Sequence, residues 1–243
     1  MPVRLVEFRN YRLRPGVREA FIDYFEERFL DSQEEVGMRV LGQFRIVGES
    51  DRFVWLRGFD DMAARRRALE TFYGGSYWER WKGPANDMMI EWDRVHLLRP
   101  RDGVWALADR LRHSPPREQG NPSRVVATFC HLGRDGPDGD FEERIRSALE
   151  DRGHTILGEF VTEMAENDFP RLPVIQEPGL IVILSLHRDR PKDRGLKPAL
   201  VEHPEISEIL ELEPTDRSAL GSRLQALDFP VAESCDRPNR LKR

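Results

Sequence analysis

The order of strands and helices predicted for the first hundred residues or so constrains the fold more strongly than any other feature of the sequence. Residues 3–13 alternate between apolar and polar side chains, which is typical of a half-buried strand, and Pro15-Gly16 ends this strand. Residues 17–31 carry apolar side chains at helical spacing with charged residues between them, and therefore predict an amphipathic helix.

Three strands and a second helix complete this unit. Residues 38–48 and 52–59 are rich in β-forming side chains, and the short polar break between them indicates a hairpin. A helix is predicted to begin near Asp60-Asp61, where a carboxylate can accept hydrogen bonds from the exposed N–H groups of the first turn. Residues 88–98 predict the last strand. The order β-α-β-β-α-β is that of ferredoxin-like folds, with two helices on one face of a four-stranded antiparallel sheet.

The same order recurs in the second half of the chain. Val40-Leu-Gly-Gln-Phe44 matches Ile156-Leu-Gly-Glu-Phe160, and each segment falls in the first strand after a long helix. A five-residue match can arise by chance, but together with the repeated order it indicates a duplication. The elements predicted here are strands at 124–132, 155–163, 179–187 and 206–213, a helix over 141–149 and a less regular helix over 192–202.

We therefore predict an α+β protein of two tandem ferredoxin-like units. The first unit covers residues 1–104 and the second, more divergent unit covers 124–229. Residues 105–123 are predicted to be a linker rich in Pro and Gly, and 230–243 a flexible tail. A sheet covered by helices on one face needs a partner for its other face. We expect the two sheets to face each other as an α/β barrel that encloses a space the size of a small molecule.

Alternation along the strands divides their side chains into an apolar set, such as Val6 and Phe8, and a polar and aromatic set, such as Glu7 and Arg9. We expect the apolar set to face the helices and the polar set to line the enclosed space, because buried charges need partners or water. A register shift of one residue would exchange the two faces. The polar set comprises Glu7, Arg9, Tyr11, Gln43, Arg45, Trp55, Arg57, Trp92, Arg94 and His96, then Thr128, Cys130, Glu159, Ser185 and His187.

Glu7, Arg9 and Arg57 are the candidate catalytic residues. Positions i and i+2 on one strand lie about 7 Å apart, so Glu7 and Arg9 can act together, and Arg57 can reach them from another strand. A carboxylate beside guanidinium groups stays ionised and can orient or deprotonate a substrate. A structural network of ion pairs would use the same three residues. The candidate substrate-binding residues are Tyr11, Gln43, Arg45, Trp55, Trp92, His96, Glu159 and His187.

Arg65, Arg66 and Arg67 lie in the first turns of the second predicted helix, where positive charge is unfavourable. They indicate either an anion site or surface pairing with Glu70 or Asp61, and surface pairing is the more common arrangement.

The first half of the chain resembles the NIPSNAP family of the dimeric α/β-barrel superfamily. The resemblance rests on Glu7-x-Arg9-x-Tyr11-x-Leu13-x-Pro15-Gly16, on Gly42-Gln-Phe44, on Phe53-Val-Trp-Leu56 and on Phe59-Asp-Asp-Met-Ala-Ala-Arg65, with a tryptophan at Trp78. It covers residues 3–100. It implies a barrel that single-unit relatives close by dimerising and that this chain can close internally. The superfamily that it implies includes cofactor-independent monooxygenases and heme-degrading enzymes.

Three functional hypotheses follow. The first is an enzyme that acts on a small organic molecule by acid–base or cofactor-independent oxygenation chemistry, in bacterial specialised metabolism for example. The second is a non-catalytic small-molecule-binding or interaction protein, which a barrel interior filled by its own side chains would favour. The third is a heme-handling protein that binds through His96 or His187.

Several other classes of function are not expected. The net charge is -5 and acidic residues are interleaved with the arginines, which argues against nucleic acid as a partner. No apolar run is long enough to span a membrane, and no signal peptide is evident. The two cysteines are far apart, which fits a reducing cytoplasm. No HxH, HxxxH or HExxH spacing occurs, so a preformed metal site is not expected. No cofactor is predicted apart from the heme of the third hypothesis. The expected partners are a small-molecule ligand and a second copy of the chain.

Overall fold

The computed structural model describes residues 2–113, 123–132, 141–188 and 205–224. The first half contains β1 (Leu5–Leu13), α1 (Arg18–Arg28), α2 (Leu30–Glu35), β2 (Arg39–Ile46), β3 (Arg52–Phe59), α3 (Met62–Gly74), α4 (Ser76–Met88), β4 (Met89–Glu91) and β5 (Val95–Pro100). It is followed by α5 (Ala106–His113), β6 (Ser123–His131), α6 (Phe141–Glu150), β7 (His154–Thr162), β8 (Leu180–Arg188), β9 (Ile206–Pro214) and a single π-helical turn, Ala219–Arg223.

Eight of the nine strands in the described part of the chain close into an antiparallel barrel. The strand order is β3-β2-β9-β6-β8-β7-β5-β1, and β1 pairs again with β3. The short β4 extends the end of β1. In each half the four barrel strands lie in the order fourth-first-third-second, and the halves meet where β2 pairs with β9 and β5 with β7. The predicted closure of two sheets into an α/β barrel is confirmed.

The barrel interior is filled by apolar side chains from both halves. Phe8 of β1 meets Phe129 of β6 edge to face, with 5.2 Å between the ring centroids. Val54, Leu56 and Val182 belong to the same buried cluster. The prediction that the barrel encloses a space for a small molecule is therefore wrong, because apolar side chains from facing strands fill its interior.

The two faces of the sheet are also exchanged relative to our expectation. The apolar set lines the barrel, and Glu7, Arg9 and Arg57 point outward to the helices. Both faces of β1 are buried, so burial alone does not distinguish them. On the helix-facing side, the buried Arg65 of α3 forms ion pairs with Glu7 and with Asp168 of the loop after β7. Charged side chains on this side of the sheet therefore have partners of opposite charge.

Two segments have more helix than the sequence predicted. Residues 76–88 form α4, and the predicted linker contains α5, whose apolar side chains Leu107 and Leu111 join the cluster that fills the barrel. Among the described residues, no helix is both long and apolar enough to cross a bilayer. The helix predicted for 192–202 and the tail predicted for 230–243 lie outside the described residues.

Trp105 closes one end of the barrel, next to α5. Its indole N–H donates to the carbonyl of Leu157 at 2.7 Å, at a bulge in β7, and its ring meets Phe160 edge to face. Trp105→Phe keeps the apolar ring but leaves that buried carbonyl without its donor. We expect it to lower the free energy of unfolding by about 1–3 kcal/mol in urea titrations. Trp92→Phe, at a half-exposed tryptophan, is the control and should change stability little.

Candidate functional site

A single carboxylate, Glu7, binds three arginines between the first sheet and its helices. Its Oε2 atom accepts from Arg9 Nη1 at 2.6 Å and from Arg57 Nε at 2.7 Å. Its Oε1 atom accepts from Arg65 Nε at 2.7 Å. Arg65 Nη1 also donates to Asp168 Oδ1 at 2.8 Å. We call these five residues the arginine network.

Local structure brings the network together. Glu7 and Arg57 are direct partners in the antiparallel pairing of β1 with β3, and Arg9 follows two positions along the same face of β1. Arg65 enters from the first turns of α3, which Asp61 caps by accepting from the N–H of Ala64 at 2.6 Å, as predicted. All three arginines are therefore held by regular elements, which fixes their guanidinium groups around one point.

The environment of Glu7 keeps it ionised. Burial by itself would raise the pKa of Glu7, but the positive charges of Arg57, Arg9 and Arg65 outweigh it and hold the pKa far below its usual value. Each of its oxygens already accepts from guanidinium donors. A carboxylate with so little basicity is unsuited to remove a proton, so Glu7 has the geometry of an anchor and not of a general base.

A cavity of about 290 Å³ lies against the network, on the helix-facing side of the first sheet. We call it the aromatic cavity. Arg9 Nε donates to the hydroxyl of Tyr11 at 2.8 Å, and both residues lie in its wall. Burial raises the pKa of Tyr11, so the phenol stays protonated. The lining residues are Arg9, Tyr11, Tyr73, Trp78, Asn86, Met89, Trp92, Phe169, Arg171 and Leu172.

The second half of the chain completes this cavity through the long loop between β7 and β8. Phe169 of the loop is buried, and its ring stacks on Tyr73 of α3 with 6.0 Å between centroids. Arg171 and Leu172 add to the wall, and Asp168 binds Arg65 as described above. Residues from both halves therefore form one site outside the barrel.

The predicted site residues divide into those at this site and those elsewhere. Arg9, Tyr11 and Trp92 line the aromatic cavity. Glu7 and Arg57 lie behind it, fully buried, and Trp55 packs beneath the guanidinium groups of Arg9 and Arg57, which lie 5.4 and 5.1 Å from its ring centroid.

The remaining first-half candidates lie apart. Gln43 lines a separate cavity of about 400 Å³ between α2, α5 and the π-helical turn. Arg45 pairs with Glu19 of α1. His96 lies on the barrel side of β5, in a cavity of about 320 Å³ at one end of the barrel, where its ring lies 5.3 Å from that of Phe129.

Neither second-half candidate faces the barrel interior. Glu159 pairs with Arg146 of α6 at 2.7 Å, and His187 stacks on His154 with 4.6 Å between ring centroids. Since α6 covers this side of β7, and Leu186 next to His187 on β8 belongs to the cluster that fills the barrel, the expected interior position of both residues is wrong. Thr128, Cys130 and Ser185 are buried.

Sequence analysis did not single out several residues of the site. Surface pairing with Glu70 or Asp61 was the favoured arrangement for Arg65, and it is wrong because Arg65 is buried, although Arg66 does pair with Glu70 at 2.8 Å. A signal for Arg65 exists, because Ala68, Leu69 and Phe72 follow it at helical spacing on the buried face of α3. The other residues that were not singled out include Tyr73, Asp168, Phe169 and Arg171.

The described residues contain no group of three or more His, Cys, Asp or Glu side chains that could hold a metal ion. The site combines guanidinium, carboxylate, phenol and aromatic groups.

Comparison with known proteins agrees with this architecture. The sequence profile of the NIPSNAP family matches residues 6–102, which include β1 except its first residue, all of β2 to β5 and every first-half residue of the site. The first half of this chain is a NIPSNAP domain. The resemblance proposed from the sequence motifs is thereby confirmed, and the NIPSNAP domain carries most of the arginine network.

Solved structures match the NIPSNAP domain alone or the whole chain. A "putative monooxygenase" from Fusobacterium nucleatum is 10% identical, covering 93% of this chain and 97% of its own, with a TM-score of 0.56. A "putative monooxygenase" from Lactobacillus acidophilus is 12% identical, covering 87% and 94%, with a TM-score of 0.50. An uncharacterised NIPSNAP-like domain protein from Burkholderia xenovorans is 24% identical over 47% of this chain and 90% of its own, with a TM-score of 0.38. No curated protein matches.

Proposed function

We propose that this protein binds a small planar organic molecule in the aromatic cavity. One observation carries the proposal: Tyr73, Trp78, Trp92 and Phe169 line a cavity of about 290 Å³ that also reaches the buried guanidinium of Arg9. Ligand sites commonly combine apolar, aromatic walls with a few polar groups that fix orientation. The filled barrel interior favours this binding role over a catalytic site inside the barrel.

We infer that the two halves are divergent copies of one ferredoxin-like β-α-β-β-α-β unit that have divided their roles. The repeated strand order supports a common origin. The first copy supplies the arginine network, and the second supplies the closing sheet and the loop that carries Phe169 and Arg171. Where β2 and β3 are joined by a tight hairpin, β7 and β8 are separated by the long loop, so the copies differ at the element that completes the site.

Binding can be tested with 2-naphthoate and 2-naphthamide by isothermal titration calorimetry. We expect binding by at least one probe, and about tenfold weaker binding after Trp92→Ala, because a stacking surface is lost. Tyr77→Ala is the matched control, since Tyr77 is comparably exposed but lies outside the cavity wall. Absence of binding by both probes at millimolar concentration, or equal loss in both variants, would contradict the proposal.

A second candidate is cofactor-independent oxygenation chemistry at the same site. The observation that favours it is the pair formed by Arg9 and the protonated Tyr11, which can hold a phenolate oxygen, the form of a phenol that is most readily oxidised by O₂. The names of the two whole-chain structural neighbours agree with it. The test is oxygen uptake with 1-naphthol, because oxygenation without a cofactor would convert 1-naphthol and one O₂ into 1,4-naphthoquinone and one water. A rate no faster than that in buffer would exclude this reaction.

The heme-handling hypothesis stays a prediction. Its two candidate ligands lie in different places, His96 at the end of the barrel and His187 stacked on His154. A Soret band on heme addition that disappears in His96→Ala would support it, and a flat titration would dispose of it.

A further inference from the structure

The charge of the arginine network indicates the chemistry of the ligand. Arg9, Arg57 and Arg65 are almost completely buried, and the only carboxylates paired with them among the described residues are Glu7 and Asp168. Three positive charges therefore face two negative charges. A buried charge without a partner is unfavourable, so the network as it stands lacks one anion.

The wall of the aromatic cavity has the same bias. It contains two arginines, Arg9 and Arg171, and no aspartate or glutamate. The chain as a whole carries five more acidic than basic residues. A wall with only positive charge in an acidic protein attracts anions and repels cations.

Unused hydrogen-bond donors lie next to this wall. Arg9 uses Nε for Tyr11 and Nη1 for Glu7, and its Nη2 has no partner among the described residues. The Nη2 atoms of Arg57 and Arg65 are buried without partners as well. Tyr11 accepts from Arg9 and keeps its own proton for donation. Donors on the same guanidinium and phenol groups can bind a carboxylate through both of its oxygens.

We propose that the ligand is a planar aromatic carboxylate. This rests on the proposed function of the aromatic cavity and specifies its ligand class. The ring of the ligand packs among Trp78, Trp92 and Phe169, and its carboxylate binds Arg9 and the Tyr11 hydroxyl. Arg171, whose guanidinium lies 5.9 Å from the ring centroid of Phe169, is exposed and supplies the second positive charge.

The experiment compares 2-naphthoate with its neutral isostere 2-naphthamide on the full chain. We expect the acid to bind at least tenfold more tightly than the amide, because a hydrogen bond to a charged group is stronger than a neutral one. Arg171→Ala, at an exposed position, should weaken the acid several-fold and leave the amide unchanged. Arg9→Met should remove most of the preference for the acid, and circular dichroism would show whether this variant is folded.

Arg67→Ala is the matched control, since Arg67 is an exposed arginine of α3 outside the cavity wall. Equal affinities of wild type for the acid and the amide would overturn the assignment of an anionic ligand and leave the proposed cavity intact. Equal weakening of the acid by Arg67→Ala and Arg171→Ala would also overturn it, because long-range attraction would then explain the preference. If neither probe binds, the proposed function itself fails.

Discussion

Replacing Glu7 with glutamine is expected to lower the free energy of unfolding by about 3–5 kcal/mol, because it leaves buried arginines without their shared anion. Glu7, Arg9 and Arg57 are all within 1% of full burial. A glutamine can accept through only one of its side-chain atoms, and its amide group would bring N–H donors toward guanidinium donors. The measurement is urea-induced unfolding followed by tryptophan fluorescence.

Glu70→Gln is the matched control for this substitution. Glu70 pairs with Arg66 at 2.8 Å on the surface of α3, and exposed pairs of this kind contribute little to stability. Adding Arg57→Met to Glu7→Gln should recover part of the lost stability, since it removes one uncompensated cation. If Glu7→Gln were as stable as the wild type within about 1 kcal/mol, Glu7 would not be the buried centre of the network.

Alternation predicted which residues act together but not which side of the sheet they occupy. Glu7, Arg9 and Arg57 were placed on one face, and they do share it with Tyr11 and Trp55. The predicted side of the sheet was wrong because both faces of β1 and β3 are buried. Alternation along these strands therefore gives two buried sets of side chains and does not show which set faces the helices. The prediction rests on the assumption that charges avoid the helix-covered side.

Arg65 shows how that assumption could have been tested from the sequence. Its helical spacing with Leu69 and Phe72 places it on the buried face of α3, where an arginine needs an anion. Glu7 is the strand carboxylate that could supply it. A charge on the apolar face of a helix was therefore a better guide to the side of the network than the polarity of the strand.

The loop between β7 and β8 could not have been placed in this way. Residues 163–179 lack helical or strand periodicity, and their contacts with α3 span about a hundred positions in sequence, as in the hydrogen bond from Arg65 to Asp168. The closure of the barrel was predictable, because each sheet needed a partner face. Whether the barrel is filled depends on which set of side chains faces its interior, and in this chain it is the apolar set.

Acidification is expected to destabilise this protein strongly between about pH 6.5 and 4, because two histidines are buried in the neutral form. Burial lowers the pKa of His96 to about 4 and that of His154 to about 3, with positive or histidine neighbours adding to the effect. In the unfolded chain both groups take up a proton near pH 6.5. Below that pH the unfolded state therefore binds more protons than the folded state, and stability falls as the pH falls.

The size of the loss in stability follows from the pKa shifts of the two histidines. The contribution of each neutral histidine is fully present above the unfolded pKa and is lost as the pH falls through the folded value. This amounts to about 3 kcal/mol for His96 and about 5 kcal/mol for His154 when complete, at about 1.4 kcal/mol per pKa unit. Glu7 adds a further loss of the same sign at lower pH, since its folded pKa is depressed.

His154→Gln tests this account by removing one of the two titrating groups. His154 Nδ1 lies 2.9 Å from the Ser185 hydroxyl, and a glutamine amide can keep that hydrogen bond. We expect the variant to lose roughly half as much unfolding free energy as the wild type between pH 7 and 4. Ser185→Ala is the control: it removes the hydrogen bond but keeps the imidazole, so it should lower stability at every pH without flattening the slope. An unchanged slope in His154→Gln would mean that His154 already takes up its proton in the folded protein.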